Sequence, residues 1–136
     1  MINSRAKGQR GEREWVEYFR QWWPFASRGL SQTAGASTPD VDGAGPFWIE
    51  CKIGKRINLF AAYEQAKSDL AKEQKKGRYL DMMPMACARQ DRKDGVVMMS
   101  AETFGRILDL AYPQTKIAHE EVRASVIDHD RPPWDL

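Results

Sequence analysis

Asp40 and Asp42, followed by Glu50 and Lys52, are the residues of this chain whose types and spacing can do chemistry. Cleaving a phosphodiester needs a water deprotonated near neutral pH and neutralised charge at the scissile phosphate. A divalent cation supplies both. Mg²⁺ is a hard ion, held by one or two carboxylates together with waters and substrate phosphate. Asp40 and Glu50 are suitable carboxylates, and the Cys51 backbone carbonyl, between Glu50 and Lys52, is a further ligand. The Lys52 ammonium can hold the attacking water or the negative charge that develops on phosphate.

These residues must be placed by a β-hairpin. Gly43-Ala44-Gly45-Pro46 is turn chemistry between two short strand-like runs, expected over residues 39–43 and 47–53. Alternation along the second strand sends Phe47, Ile49, Cys51 and Ile53 to one face and Trp48, Glu50 and Lys52 to the other. On the first strand Val41 takes the apolar face, and Asp40 and Asp42 share the polar one. Asp42 shares that face with Asp40, so either carboxylate can serve as the metal ligand on this reading. Trp48 either stacks on a base or caps the core, and capping is favoured. Short strings of this kind recur by chance, so the rest of the chain has to be weighed.

Glu12 adds weight. It stands on the apolar face of an expected first helix, with Trp15, Val16 and Phe19 at helical spacing. A carboxylate there costs desolvation unless it meets a cation. It either favours the dipole of a first turn or joins the metal site, and the second is favoured. Gln65, beside Ala61, Ala62 and Ala66 on a second helix, either supports a metal-bound water or phosphate or faces solvent. Lys7, Arg10 and Arg13 open the first helix, and Lys55 and Arg56 follow the Glu-x-Lys strand. Arg28 and Ser31 stand on the strand and hydroxyl-rich loop between. Such cations and hydroxyls bind phosphate without reading sequence. His119 and His129 receive no role.

The positioning elements follow from periodicity and punctuation. A helix is expected over residues 9–23 and a short strand over 25–30. After the hairpin, Asn58 caps a helix over 59–76 that Gly77 ends. Strands over 82–89 and 96–99 and a helix over 101–110 complete an α-β-β-β-α-β-β-α order. That order makes an α/β sandwich around a mixed sheet flanked by helices. One domain, residues 1–113, is expected, with 114–136 a partly disordered extension.

The chain has 136 residues, 42% of them hydrophobic. No apolar run nears the roughly 18 residues that span a bilayer, and the N-terminus lacks the apolar stretch of a secretory signal. A cytoplasmic protein is expected, with Cys51 and Cys87 as buried free thiols. Residues 1–80 carry 14 Lys/Arg against 9 Asp/Glu, whereas residues 81–136 carry 7 against 10. The half bearing the motif is the basic half, which suits a polyanion.

Taken together, these residues resemble the PD-(D/E)XK nuclease superfamily, and within it the small Holliday junction resolvases of archaea and phages. The match runs from about residue 7 to 110 through Gly8-Gln9-Arg10-Gly11-Glu12-Arg13-Glu14, Arg28, Ser31, Pro39-Asp40-Val41, Glu50-Cys51-Lys52 and Gln65. The resemblance implies a restriction-endonuclease-like core and Mg²⁺ or Mn²⁺ near Asp40 and Glu50. It also implies Glu12 at the metal site, Lys52 in catalysis, and a homodimer that nicks four-way DNA junctions. The competing readings are a general repair or recombination nuclease of the same superfamily and a non-catalytic DNA-binding module.

Overall fold

The computed structural model describes residues 4–29 and 37–113. The chain divides into two compact units, Met1–Ser100 and Ala101–Leu136. The first unit runs α1 (Ser4–Phe19), β1 (Ser27–Arg28), β2 (Val41–Asp42), β3 (Phe47–Gly54), α2 (Leu59–Lys75), β4 (Met83–Gln90) and β5 (Gly95–Met98). The second contains α3 (Ala101–Ala111), whose Glu102 and Arg106 pair across one turn at 3.1 Å. The expected order of elements is therefore the observed one. No helix among the described residues is long and apolar enough to cross a membrane.

The five strands form one sheet in chain order. β1, β2 and β3 are antiparallel neighbours, β3 and β4 run parallel, and β5 returns antiparallel to β4. The parallel step needs a crossover, and α2 supplies it. Asn58 caps that helix as expected, its side chain accepting the Ala61 N–H at 3.0 Å. The result is a mixed sheet with α1 on one face and α2 on the other, a restriction-endonuclease-like core.

Alternation along β3 divides the interior in two. Ile49 joins Trp15, Val16, Phe19, Val41, Met85 and Cys87 in the larger cluster, under α1. Trp48 joins Ala66 and Leu70 under α2, with the Tyr79 ring edge-on at 5.1 Å. Trp48 is 1% exposed, so the expected capping role is its position and stacking on a base is excluded. Gly11 lets α1 lie directly on the sheet, since a Cβ there would stand 2.6 Å from Ile53 Cγ2.

Several boundaries differ from expectation. α1 begins earlier and ends at Phe19, and the chain then turns, with Trp23 N–H on the Phe19 carbonyl at 2.9 Å. Trp22, expected in the apolar stripe, is 57% exposed. The expected first strand shrinks to two residues, and β2 likewise holds only Val41 and Asp42. The C-terminal extension lies outside the described residues.

Candidate active site

The candidate site is built where β2 enters the sheet beside β3. Val41 pairs with Ile49, so Asp40 comes level with Glu50 on the face that α2 covers. Gly29 makes the approach possible. Its N–H donates to the Asp40 carbonyl at 3.0 Å, and a Cβ on it would run into the Pro39 carbonyl. The Asp40 side chain turns to β3, where Oδ2 accepts the Cys51 N–H at 2.8 Å. Lys52 Nζ donates to Glu50 Oε1 at 2.9 Å. Ala86 and Ala88 of β4 stand level with Glu50 and Lys52, and such small side chains leave the space beside them open.

The electrostatics are those of crowded carboxylates. Burial, then the negative Glu50, push the Asp40 carboxyl up to about 7 against the Cys51 hydrogen bond, with Glu12 adding to the rise. Burial likewise raises Glu50, despite its bond to Lys52, and Asp69 and Glu12 contribute. Lys52 behaves in the opposite sense. Burial works against its ammonium, but the Glu50 hydrogen bond and the attraction of Glu50 and Asp40 outweigh it, so its pKa rises. The Cys51 and Cys87 thiols are both pushed up by burial, which leaves them protonated and inert.

Glu12 is half-buried on α1 and forms an ion pair with Arg28 of β1 at 2.9 Å. It influences Asp40 and Glu50 electrostatically, while its own hydrogen-bond partner is Arg28. Gln65 is exposed on α2. Asp69, one turn further along, is the α2 side chain whose charge reaches Glu50. Among the expected phosphate contacts, Lys7 pairs with Asp91 at 3.1 Å and Arg10 with Glu14 at 3.9 Å. Arg13, Lys55 and Arg56 are exposed and take no ion-pair partner among the described residues. Ser31 lies outside the described residues.

Sequence reasoning passed over Asp69 and Glu73. Glu73 is 1% exposed near the end of α2. Its Oε1 accepts the Ser37 N–H at 3.0 Å and Lys76 Nζ at 3.1 Å, and Arg78 stands 3.4 Å from Oε2. The Ser37 hydrogen bond leads in holding its pKa below the usual carboxylate value. Glu73 thus fixes the chain three residues before Asp40. Both acids sit among lysines on a helix, so locally they read as solvated surface.

The donor set fits a hard divalent ion. No three acidic, histidine or cysteine groups form a ready-made cluster among the described residues. Two level carboxylates, one raised by the other, nonetheless offer the oxygen ligands and the unrelieved negative charge that Mg²⁺ or Mn²⁺ would neutralise. A family model described as "Phage putative PDDEXK endonuclease" matches residues 3–130. No curated protein and no solved structure matches the chain.

Proposed function

Since the chain belongs to this family of phage PD-(D/E)XK endonucleases, we propose that it is a metal-dependent DNA endonuclease acting at four-way junctions or other branched DNA. The observation that carries the reading is the pair of level carboxylates, Asp40 and Glu50, with the Lys52 ammonium beside them. A divalent cation, held by Asp40 and Glu50 with the Cys51 carbonyl and Glu12 as further ligands, would supply a water of lowered pKa and Lewis acidity.

The remaining work falls to the chain's own groups. Asp40 is oriented by the Cys51 N–H, so one carboxylate oxygen is fixed and the other is left for a ligand. Lys52, its pKa raised, stays an ammonium at neutral pH. It acts as a positive charge on the phosphate or a donor to the attacking water, and not as a base. Gln65, exposed on α2, would support that water or a phosphate oxygen. Arg13, Lys55 and Arg56 would hold flanking phosphates, and Arg28, Lys7, Arg10 and Ser31 are proposed as further phosphate contacts.

Branched DNA is the substrate we favour, and nicking two strands at a junction calls for two chains. Phe25, 94% exposed, and Trp22 beside the end of α1 give apolar surface to a two-fold homodimer. The test is cleavage of a labelled four-way junction beside linear duplex, with Mg²⁺ or with EDTA, and light scattering without DNA. Paired nicks at the junction by a dimer, abolished by EDTA, are expected. A monomer that cuts linear duplex as readily would remove the junction reading and leave a general nuclease.

A further inference from the structure

A cavity of about 550 Å³ opens on the α2 face of the sheet, next to the candidate site. Its position follows from register. Lys52 of β3 is level with Ala88 of β4, and Ala88 is level with Val96 of β5. One row across three strands therefore leads from the Lys52 ammonium to the cavity floor, a step of about 5 Å per strand. Ile57, just before the Asn58 cap, and Leu59, the first residue of α2, line it together with Ala88 and Val96.

The rim has the opposite character. It is the turn between β4 and β5, where Arg92 and Lys93 are exposed and take no ion-pair partner among the described residues. Arg92 holds a φ of 61°, a left-handed conformation that a side chain of its size rarely adopts. The turn is closed behind it by Lys93 N–H on the Gln90 carbonyl at 3.1 Å, and Asp91 N–H on Gly54 at 3.0 Å ties it to β3. The Gln90 amide and the Asp94 carboxylate add donors and acceptors at the edge.

We propose that this cavity takes one unpaired nucleotide next to the scissile phosphate, its base on the apolar floor and its phosphate on Arg92 and Lys93. The proposal rests on the nuclease reading and deepens it, because it names the feature of branched DNA that the protein selects. An apolar recess with a cationic rim matches a base with its phosphate, and the volume lies within the ordinary range for such ligands. A base still paired and stacked in duplex cannot enter a concave site, whereas a base at a branch or flap enters at little cost. The Arg92 guanidinium is a plane on which the base can stack. The acceptor of Asp94 suits a base amine and opposes a second phosphate, which limits the site to one nucleotide.

The test is binding in EDTA, where cleavage plays no part. Fluorescence anisotropy compares a duplex carrying a single-stranded flap, the same flap with an abasic unit at the branch, and the fully paired duplex. The full chain should bind the flap about tenfold more tightly than the abasic form, the scale of one stacked base. Val96→Trp, which lays an indole over the recess floor where the base would sit, should bring that ratio to about one. Arg92→Gly keeps the turn without strain, so it should melt no lower than the parent while losing affinity for the flap about threefold or more. Equal binding of intact and abasic flaps by the parent would overturn the proposal, as would a ratio kept by Val96→Trp. If Val96→Trp does not fold, undiminished flap binding by Arg92→Gly overturns it. A parent that shows the base preference but cleaves nothing with Mg²⁺ or Mn²⁺ removes the nuclease reading and leaves the nucleotide site standing.

Discussion

Replacing Asp40 with Asn should make the metal-free protein more stable at alkaline pH while abolishing cleavage. The Asp40 carboxyl rises from 3.8 to about 7 through burial and the charge of Glu50. The folded protein therefore keeps a proton on Asp40 up to about neutrality, whereas the unfolded chain releases it near 3.8. Between those values the folded state binds more protons, so stability falls as pH rises through the window. A rise of about three pH units sets a ceiling of about 4 kcal/mol at 1.36 kcal/mol per unit. Asp40 is half-buried, and solvent screening brings the expected effect to about 2 kcal/mol. Asn keeps an oxygen for the Cys51 N–H and carries no charge. In EDTA its melting temperature should match the parent's near pH 3.5, below the unfolded value of 3.8, and exceed it by about 7 °C at pH 8.5. Mg²⁺ or Mn²⁺ should then stabilise the parent and leave the variant unmoved. The decisive measurement is the pair of melting curves at the two pH values. An equal difference at both, or a variant less stable at pH 8.5, would refute the claim that Glu50 and burial crowd the Asp40 carboxylate.

Lys52→Ala should depress the single-turnover rate at saturating enzyme much more than DNA affinity, by about a hundredfold or more for a charge lost at the reacting phosphate. An unchanged rate with weakened binding would make Lys52 a phosphate contact only. Glu73→Gln should lower the melting temperature, because it removes the charge that holds Ser37, Lys76 and Arg78. The folded pKa of Glu73 is lowered, so that penalty is full above about pH 4.5 and fades as pH falls below it, which melting curves across pH 3–8 will report. Gly11→Ala should destabilise by about 1–3 kcal/mol through overlap with Ile53, outweighing the roughly 1 kcal/mol that alanine gains in a helix. Urea titration checks it, and a stabilised variant would mean that α1 can lift from the sheet.

The central features were legible because they are local. The β3 alternation, the Asn58 cap and the hairpin turn each depend on residues within a few positions, and they place Asp40, Glu50 and Lys52 on one face as expected. The end of α1 was not legible, because Trp22 and Trp23 continue the helical spacing after the backbone has turned. The expectation for Glu12 is a place at the metal site, and its ion-pair partner in the structure is Arg28, sixteen residues away, a pairing that no periodicity reports. Glu73 was missed for the same reason, since it is the Ser37 segment, 36 residues distant, that takes it out of solvent. Trp48 sat on the face read as polar, and only the crossing of α2 with Tyr79 buries it. The cavity beside Lys52 depends on the parallel β3–β4 register, and that register is set by a helix of 17 residues between them.

β3 serves two interiors and the chemistry at once, with Ile49 and Cys51 packed under α1, and Trp48 packed under α2 on the face that also carries Glu50 and Lys52. A single residue inserted or deleted between Pro46 and Lys52 would exchange the two sets, sending Glu50 and Lys52 under α1 and Ile49 and Cys51 out toward α2. Neither outcome folds well, so chain length in this strand is held fixed by packing before catalysis is ever tested. The turn at residues 91–94 carries no such burden, for it lies beyond the last paired residues of β4 and β5. Beyond Asp91, which Lys7 and the Gly54 carbonyl hold, residues 92–94 can change in length and charge without disturbing Asp40 or Lys52. A lineage built on this chain is therefore free to vary in what it grips, while the reaction itself is inherited intact.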